Sequence, residues 1–299
     1  MMPMGLSSPR SRLKAPLDTL YRDFDWAART NADAIQYPLR YPEPHDRELA
    51  ALLASCLAYG RVDLFGPRVE WVLDRMGASP HRFVLAFDPA AHGEAFAGFR
   101  YRFNRPRDLV AFCVSGRRIL EEHGSLGAFF AAGFSPEDET VAPALERFVA
   151  GFLEGDLRMV FPRGRLSYGY RHFFPRPSTG GPCKRLLLFL RWMVRREPPD
   201  FGLWAEIPPS ALVMPVDTHI EHMARAVGLT RRRSRNWRMA EEITARLRRL
   251  DPDDPVKYDF ALCHKRMSGD CPGRREAVTC APCGLRPVCM HWRGVRIPR

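Results

Sequence analysis

Apolar residues recur three and four positions apart along most of this chain, which is the period of an amphipathic helix. Leu49, Leu52 and Cys56 follow this spacing, and their helix is expected to end near Gly60. The same period predicts further helices over residues 17–30, 62–76, 107–124, 126–132, 140–153, 220–227 and 237–250. Residues 99–104 alternate instead and predict a strand or an extended loop. Since β-branched runs are few and no βαβ pattern is present, the sequence predicts an all-α fold.

Residues 1–16 combine Pro, Ser, Gly and basic side chains without an apolar centre. This composition predicts a disordered tail rather than a signal peptide or a membrane anchor. No apolar run approaches the roughly 20 residues that a membrane-spanning helix requires. We therefore expect no membrane association and a cytoplasmic, nucleoid-associated protein.

The chain carries a net charge of +12 over 299 residues, and arginine greatly outnumbers lysine. Such an excess attracts polyanions and raises the local concentration of phosphate groups. A soluble basic protein without a nucleic-acid partner is the alternative. The apolar content of 45% is ordinary for a globular core and does not distinguish the two.

Four of the eight cysteines are concentrated late in the sequence, at Cys271, Cys280, Cys283 and Cys289. Four thiolates can bind one zinc ion or hold an iron–sulfur cluster when short loops bring the sulfurs together. Disulfides are an alternative, but clustered cysteines in a chain without a secretory signal more often bind metal. Zinc sites usually combine two Cys-x2-Cys pairs, whereas this segment has one, so both metal centres are considered.

A glycine-rich turn precedes a strongly apolar helical segment. Gly180 and Gly181 lead through Pro and Cys to Lys184 and Arg185, after which the chain is mainly apolar up to Val194. The first backbone N–H groups of such a helix can bind a phosphate. We therefore predict DNA contacts for Gly180, Gly181 and Arg185, and either phosphate binding or chemistry for Lys184.

Asp217 lies where a proline-rich connection enters the predicted helix over residues 220–227. An aspartate at this place most often caps the helix by accepting hydrogen bonds from its first N–H groups. A fixed carboxylate can also stabilise positive charge that develops in a reaction. The two roles are compatible. His219 and His222 share a helix face, but four thiols already form a complete metal-ligand set.

Arginines follow that helix at Arg231, Arg232, Arg233 and Arg235. A run of like charges is either a solvated face or a clamp on a phosphate backbone, and we predict DNA contacts for all four. Residues 158–176 are rich in Arg, Tyr and Phe, which is typical of a nucleic-acid-binding loop and also of an ordinary aromatic-anchored loop.

Residues 216–219, Val-Asp-Thr-His, are followed by a helix and Gly-Leu, and this pattern resembles the catalytic motif of helix-hairpin-helix DNA glycosylases. The ending Cys-x2-Cys-x5-Cys from Cys280 to Cys289 resembles the iron–sulfur loop of the endonuclease III family in that superfamily. The resemblance implies catalysis by Asp217, a 4Fe–4S cluster on the four cysteines, and double-stranded DNA as the partner. The chain departs from the family in a longer first cysteine gap, which keeps zinc as the alternative metal, and in lacking the usual Leu-Pro-Gly-Val-Gly hairpin.

A glycosylase that also cuts the strand needs a lysine amine, which forms a Schiff base with the sugar. Of the four lysines, Lys14, Lys184, Lys257 and Lys265, Lys184 follows the hairpin-like turn. Its long separation from Asp217 resembles the archaeal 8-oxoguanine glycosylases rather than endonuclease III. The resemblance therefore implies a DNA repair glycosylase with AP-lyase activity, which excises a damaged base such as an oxidised purine through Lys184 and Asp217.

The segment from Asp254 to Leu262 reads Asp-Pro-Val-Lys-Tyr-Asp-Phe-Ala-Leu and predicts a helix capped by Asp254, with Pro255 in its first turn. With other short motifs, it resembles a bacterial family of the same superfamily from about residue 20 to the end. The match supports the helix-hairpin-helix fold more directly than it supports the reaction.

The resemblance implies a helical lobe over residues 46–204 and a second lobe formed by residues 17–45 with 205–299, with a DNA cleft between them. An enzyme that acts on a base in duplex DNA turns the base out of the stack. Tyr59, Arg61 and Trp192 are candidates for a wedge or for the walls of its pocket. A monomer is expected.

Two other classes of function fit the same residues. The first is a non-catalytic helix-hairpin-helix protein that binds nucleic acid and contains a structural metal cluster. It would not depend on Asp217. The second is a zinc-stabilised scaffold for protein partners, whose binding to nucleic acid would depend little on salt.

Overall fold

The computed structural model describes residues 9–293 and confirms a mainly α-helical protein without β-strands in this range. No helix of the described residues is long and apolar enough to span a membrane. The α-helices are α1 (Pro9–Arg22), α2 (Trp26–Thr30), α3 (Pro44–Leu57), α4 (Val62–Met76), α5 (Pro80–Leu85), α6 (Pro89–His92), α7 (Pro106–His123), α8 (Leu126–Ala132), α9 (Ala142–Leu153), α10 (Tyr168–Phe173), α11 (Lys184–Val194), α12 (Thr218–Ala226), α13 (Trp237–Arg248), α14 (Asp259–Met267) and α15 (Ala277–Cys280).

Glycines and capping side chains end several helices where the sequence predicts. Gly77 follows α4 with a φ of 72°, and Gly124 follows α7 with a φ of 80°. Both angles lie in the left-handed region that glycine adopts without a steric penalty. Ser125 caps α8 by accepting a hydrogen bond from Ala128 N. The predicted helices over residues 62–76 and 126–132 are therefore confirmed together with their limits.

The N-terminal segment differs from the prediction. The chain is helical from Pro9 to Arg22, so the disordered tail predicted for residues 1–16 does not extend over residues 9–16. Residues 1–8 lie outside the described range. The single helix predicted over residues 17–30 is interrupted between α1 and α2.

Two further local predictions are corrected. Residues 255–258 form turns, and α14 begins only at Asp259, so Asp254 is not its N-cap. Lys257 Nζ lies 2.6 Å from Asp251 Oδ2 and 3.4 Å from Asp18 Oδ1, and these ion pairs favour the turn over an earlier helix start. Residues 99–104 form an extended loop with one isolated antiparallel bridge between Tyr101 and Asn104.

Contacts divide the chain into two compact units. Unit A comprises the described residues of Met1–Asp25, Pro182–Lys184 and Leu212–Arg299. Unit B comprises Trp26–Gly181 and Arg185–Ala211. The predicted lobe over residues 46–204 lies inside the limits of unit B apart from the short segment 182–184, which belongs to unit A. Residues 26–45 and 205–211, which were predicted in the second lobe, belong to unit B instead.

Unit B is built around α3, whose residues from Leu49 to Leu57 are all buried. It contacts α4, α5 and α8, while α7 contacts α5, α8, α9 and α10. Glu48 is a buried polar exception, and its carboxylate accepts hydrogen bonds from Trp204 Nε1 at 2.6 Å and Leu126 N at 3.2 Å. These bonds compensate for removing the carboxylate from water.

The core of unit A is formed by α12, α13 and α14 together with α1. Helices α12 and α14 pack against each other, burying Ile220 and Met223 of α12 and Phe260 of α14. The buried connection before α12 is tied to α13 because Met214 N donates a hydrogen bond of 2.9 Å to Thr244 Oγ1. This packing determines where the N-terminus of α12 lies.

Candidate functional site

Asp217 is the N-cap of α12. Its Oδ1 accepts a hydrogen bond of 2.9 Å from Ile220 N, and its backbone is extended, as is usual for a capping residue. The side chain is 23% exposed, so one face of the carboxylate remains accessible. The structural role expected for Asp217 is confirmed, and Oδ2 is left for other contacts.

Lys184 lies beside Asp217 although the two residues are far apart in the sequence. Lys184 Nζ is 3.9 Å from Asp217 Oδ2, and the lysine side chain is 27% exposed. The distance is at the outer limit of an ion pair, so the amine is near the carboxylate without being tightly held. Both residues belong to unit A. The two residues that the sequence predicts as catalytic are thus neighbours.

The residue before Lys184 has an unusual backbone. Cys183 has a φ of 47° and is buried, with 2% of its surface exposed. A non-glycine residue with a positive φ is uncommon, and such strain is frequent at functional sites. This geometry sets the direction in which the chain enters α11 and therefore where Lys184 begins that helix.

Cys263 is a third member of the site that the sequence analysis missed. Its Sγ lies 3.7 Å from Asp217 Oδ2, to which the thiol donates a hydrogen bond. Asp217 Oδ2 therefore faces both a lysine amine and a thiol. The sequence shows Cys263 only as a small residue in an apolar helix, and the packing of α14 on α12 brings it to the carboxylate.

His219 lies in the first turn of α12 and is half-buried. Burial lowers the pKa of His219, and the charges of Arg266 and Lys184 act in the same direction, whereas Asp217 opposes them. The imidazole is therefore expected to be neutral at neutral pH, with one nitrogen able to accept a hydrogen bond. This protonation state gives the site a neutral polar group beside its charged pair.

The cysteines predicted as metal ligands line one cavity. Cys271, Cys280, Cys283 and Cys289 are each partly buried there, and apolar residues such as Leu285 complete the wall. Burial raises the pKa of the Cys289 thiol, and the neighbouring Cys271 and Cys283 act in the same direction. Such mutual influence is expected where several thiols converge.

The four cysteines that line this cavity do not form a ready-made site for a single metal ion. Within residues 9–293, no three His, Cys, Asp or Glu side chains are close enough to hold a single metal ion. Tetrahedral zinc requires four ligands, with each sulfur about 2.3 Å from the metal. The donor set fits thiolate chemistry, because four soft ligands face one partly apolar cavity, but their spacing is wider than one ion requires.

The basic run after α12 divides into two groups. Arg232 Nε lies 3.1 Å from Glu242 Oε2, and Arg235 Nε lies 3.3 Å from Glu221 Oε2. Arg235 also donates a hydrogen bond to Thr218 Oγ1, next to Asp217. All four predicted arginines are exposed, including Arg231 and Arg233, which are not ion-paired within residues 9–293.

The residues of the hairpin-like turn and of the helix start after it differ in their exposure to solvent. Gly180 is exposed, with a φ of 76°, and its N–H donates to Pro177 O at 2.8 Å, while Gly181 is half-buried. Arg185 is 8% exposed, and its guanidinium donates to Cys56 O and to His172 O. Cys56 lies in the last turn of α3, whose carbonyl groups need such partners. Arg185 therefore contacts the core of unit B, which differs from the predicted DNA contact.

The predicted pocket residues of unit B occupy three different environments. Trp192 is fully buried in α11, which does not fit the predicted role as an accessible wall. Arg61 is exposed and paired with Asp63, with 2.8 Å between Nη2 and Oδ2. Tyr59 is half-buried and stacks on Phe103 with a centroid distance of 5.3 Å and nearly parallel rings.

An aromatic cluster surrounds Tyr59. The His172 ring lies 4.5 Å from that of Phe103, and Phe103 contacts Tyr168, whose surface is 62% exposed. Burial and the charge of Arg185 lower the pKa of His172 to about 3, so its ring is neutral at physiological pH. The predicted loop over residues 158–176 thus contributes both buried and exposed rings.

These features define an all-α protein in which one compact unit contains a lysine–carboxylate–thiol site and a cavity lined by four cysteines. Residues 33–268 match the family model described as "Protein of unknown function (DUF2400)", and the chain belongs to this family. The matched range contains the Lys184, Asp217 and Cys263 site and ends before Cys271. A search of curated proteins gave no match, and neither did a search of solved structures.

Proposed function

We propose that the protein is a DNA repair glycosylase with AP-lyase activity, in which Lys184 is the nucleophile and Asp217 the carboxylate that assists it. The main support is the distance of 3.9 Å between Lys184 Nζ and Asp217 Oδ2. A nucleophile and a base within reach of each other are the arrangement that covalent catalysis requires. The resemblance of residues 216–219 to the glycosylase motif provides independent support.

The chemistry begins with the loss of a proton from the lysine. Asp217 accepts a proton from the Lys184 ammonium, and the neutral amine attacks C1′ of the damaged nucleotide. The C1′–N bond breaks, its electron pair leaves with the base, and the base takes up a proton. The base takes this proton from Asp217, and the carboxylate that is restored stabilises the positive charge that develops on the sugar in a partly dehydrated site. The C1′–O4′ bond then breaks as the bonded amine passes a proton through Asp217 to O4′, which leaves a protonated Schiff base between Lys184 and C1′. Loss of a proton from C2′ and departure of the 3′ phosphate then cut the strand on the 3′ side by β-elimination.

Cys263 and the cap hydrogen bond hold Asp217 in position. Ile220 N donates to Oδ1, and the Cys263 thiol donates to Oδ2. These contacts fix the carboxylate plane while Lys184 approaches Oδ2. His219, neutral and adjacent in sequence to the cap, is a candidate to donate or accept a hydrogen bond with the departing base.

Double-stranded DNA is the proposed partner. Support comes from the net charge of +12 and from Arg231 and Arg233, exposed arginines without a carboxylate partner within residues 9–293. Guanidinium groups bind phosphate oxygens through paired hydrogen bonds. In the hairpin-like turn the N–H of Gly180 donates to Pro177 O at 2.8 Å, so Gly181 is the glycine proposed to add a backbone donor for a phosphate group.

A 4Fe–4S cluster is the proposed cofactor, with zinc as the alternative. Cys271, Cys280, Cys283 and Cys289 would hold it, since all four line one cavity. When bound, such a cluster would tie the four-cysteine segment into a fixed shape. It takes no part in the chemistry proposed for Lys184.

The covalent step is tested by trapping. The protein is incubated with duplex DNA that contains one abasic site, reduced with borohydride and analysed for a covalent adduct. We expect an adduct with the wild type, none with Lys184→Ala, and less with Asp217→Asn, whose amide cannot accept the proton. Lys14→Ala is the matched control, because Lys14 forms only a surface pair with Asp18 in the part of the chain that the structure describes.

Each result has a distinct meaning. An adduct that persists in Lys184→Ala would show that another amine reacts. Absence of an adduct from every protein would contradict the lyase activity. A lesion panel with wild type and Asp217→Asn would then separate a monofunctional glycosylase from a protein that only binds DNA, because only the glycosylase releases a base in an Asp217-dependent manner.

A further inference from the structure

A cavity of about 450 Å³ in unit A is lined mainly by arginines. It lies where the segment after α12, the α13 helix and the end of the described chain meet. Gly228, Thr230 and Met290 also line it, and no carboxylate lines it within residues 9–293. The five arginines are Arg225, Arg231, Arg233, Arg246 and Arg293.

Only part of this positive charge is compensated. Arg246 Nη2 lies 2.9 Å from Glu242 Oε1, and Arg225 Nη1 lies 3.4 Å from Glu221 Oε1. Arg231, Arg233 and Arg293 have no ion pair within residues 9–293. Five like charges around one cavity repel one another, and a bound polyanion would remove this cost.

The cavity also explains the alternation of the basic run. Arg232 and Arg235 point to Glu242 and Glu221, while Arg231 and Arg233 line the cavity. Arg246 is held in place because its Nη1 donates a hydrogen bond of 2.8 Å to Gly228 O.

We propose that this arginine cavity is a binding site for a phosphate group with two or more negative charges, such as an oligophosphate or the terminal phosphate of a nucleic-acid strand. An internal phosphodiester carries one charge, whereas a terminal phosphate monoester carries about 1.5 to 2 at pH 7. The volume is in the range of sites for small molecules, about 300–1,000 Å³. A concave cluster of guanidinium groups therefore suits a compact polyanion better than an extended backbone.

A terminal phosphate as the ligand rests on the proposed binding of nucleic acid. Binding of either ligand in the arginine cavity does not depend on chemistry at Lys184. Two sources of the ligand share this chemistry. A free oligophosphate would make the cavity a small-molecule site, whereas a terminal phosphate would make it a site for the end or nick of a strand. Separate probes distinguish them.

The test measures binding of inorganic tripolyphosphate by calorimetry, and binding of two otherwise identical duplexes that carry a 5′-phosphate or a 5′-hydroxyl. We expect tripolyphosphate to bind the wild type and Arg231→Ala/Arg233→Ala to bind it at least about tenfold more weakly, since two charge-assisted contacts are lost. Arg238→Ala/Arg249→Ala is the matched control, because both residues are exposed and outside the cavity. The control should change affinity less than about threefold, and circular dichroism should show that both double variants are folded.

The outcomes are separable. Preference for the 5′-phosphate duplex that is lost in Arg231→Ala/Arg233→Ala would identify a strand end as the ligand, and equal binding of both duplexes would identify a free oligophosphate. No binding of tripolyphosphate by the wild type, or equal losses in the two double variants, would overturn the proposal. If tripolyphosphate binds but neither duplex does, the cavity is retained and the proposed DNA partner fails.

Discussion

At the scale of single residues, Asp217 combines a structural contact with a chemical one. Oδ1 accepts the cap hydrogen bond from Ile220 N, while Oδ2 faces Lys184 and Cys263. The two oxygens of one carboxylate therefore have separate tasks. This division allows the fold contribution and the proposed catalytic contribution of Asp217 to be measured independently.

Substitution of Asp217 separates these contributions. Asp217→Ala should lower the free energy of unfolding by about 1 kcal/mol, because the N-cap acceptor is lost, whereas Asp217→Asn should change it by only a few tenths, because asparagine also caps helices. Urea unfolding monitored by circular dichroism provides the comparison. Equal stability of the Ala and Asn variants would mean that the cap contributes nothing measurable.

The role of a residue was predictable from the sequence where a local motif determines that role. Contacts between residues distant in sequence were not predictable. The cap at Asp217 follows from its place before a helix, and its neighbour Lys184 was suggested by a resemblance. Cys263 could not be found, because its distance to the carboxylate arises from packing between helices distant in sequence. Arg185 illustrates the opposite error, since an arginine at a helix start looks like a phosphate contact until a neighbouring helix supplies carbonyl acceptors.

At the scale of elements, helix limits were predictable where glycine or a capping side chain marks them. Gly77 and Ser125 define such limits, whereas Asp254 and Pro255 have the form of a helix start and are followed by turns. Ion pairs from Lys257 to two carboxylates outweigh that local preference. A short window of sequence does not contain all the residues that form such tertiary contacts, so it cannot predict them.

The four-cysteine segment is the element whose chemistry is most directly testable. Protein purified without oxygen should contain iron and acid-labile sulfide and should be brown, and Cys283→Ser should lose most of the iron because one of four thiolate ligands is removed. Elemental analysis and visible absorption provide the measurement.

Cys113→Ala serves as the control for this experiment, since Cys113 is fully buried and distant in sequence from the cavity. It should retain the metal content of the wild type. Zinc in place of iron would replace the proposed cluster by its alternative, and the absence of any metal in the wild type would remove the metal centre.

At the scale of the whole molecule, the sequence gives the net charge, and the structure shows how that charge is distributed. The net charge of +12 is a matter of composition, but the structure distinguishes arginines that are compensated by carboxylates from those that are not. Arg232 belongs to the first group, and Arg231 and Arg233 belong to the second. Only for the second group is the electrostatic attraction to a polyanion not reduced by a neighbouring carboxylate.

Binding to a 5′-hydroxyl duplex should therefore weaken steeply with salt. For B-DNA the logarithm of the binding constant falls linearly with the logarithm of the salt concentration, with a slope of about −0.9 for each phosphate neutralised. Fluorescence anisotropy at several salt concentrations gives the slope, and several neutralised phosphates are expected. A slope near zero would support the protein-scaffold alternative instead.

The order of the two units along the chain determines when each unit can be completed during synthesis. The chain passes between them four times, after residues 25, 181, 184 and 211. In unit A, the hydrogen bond from Tyr258 to Asp18 joins residues 240 positions apart. At roughly 5–20 residues per second, the ribosome needs on the order of ten to fifty seconds to synthesise that interval. During this time α1 lacks its partner Tyr258, so unit A is completed only after its last helices emerge, whereas unit B has its full sequence once residue 211 has left the exit tunnel.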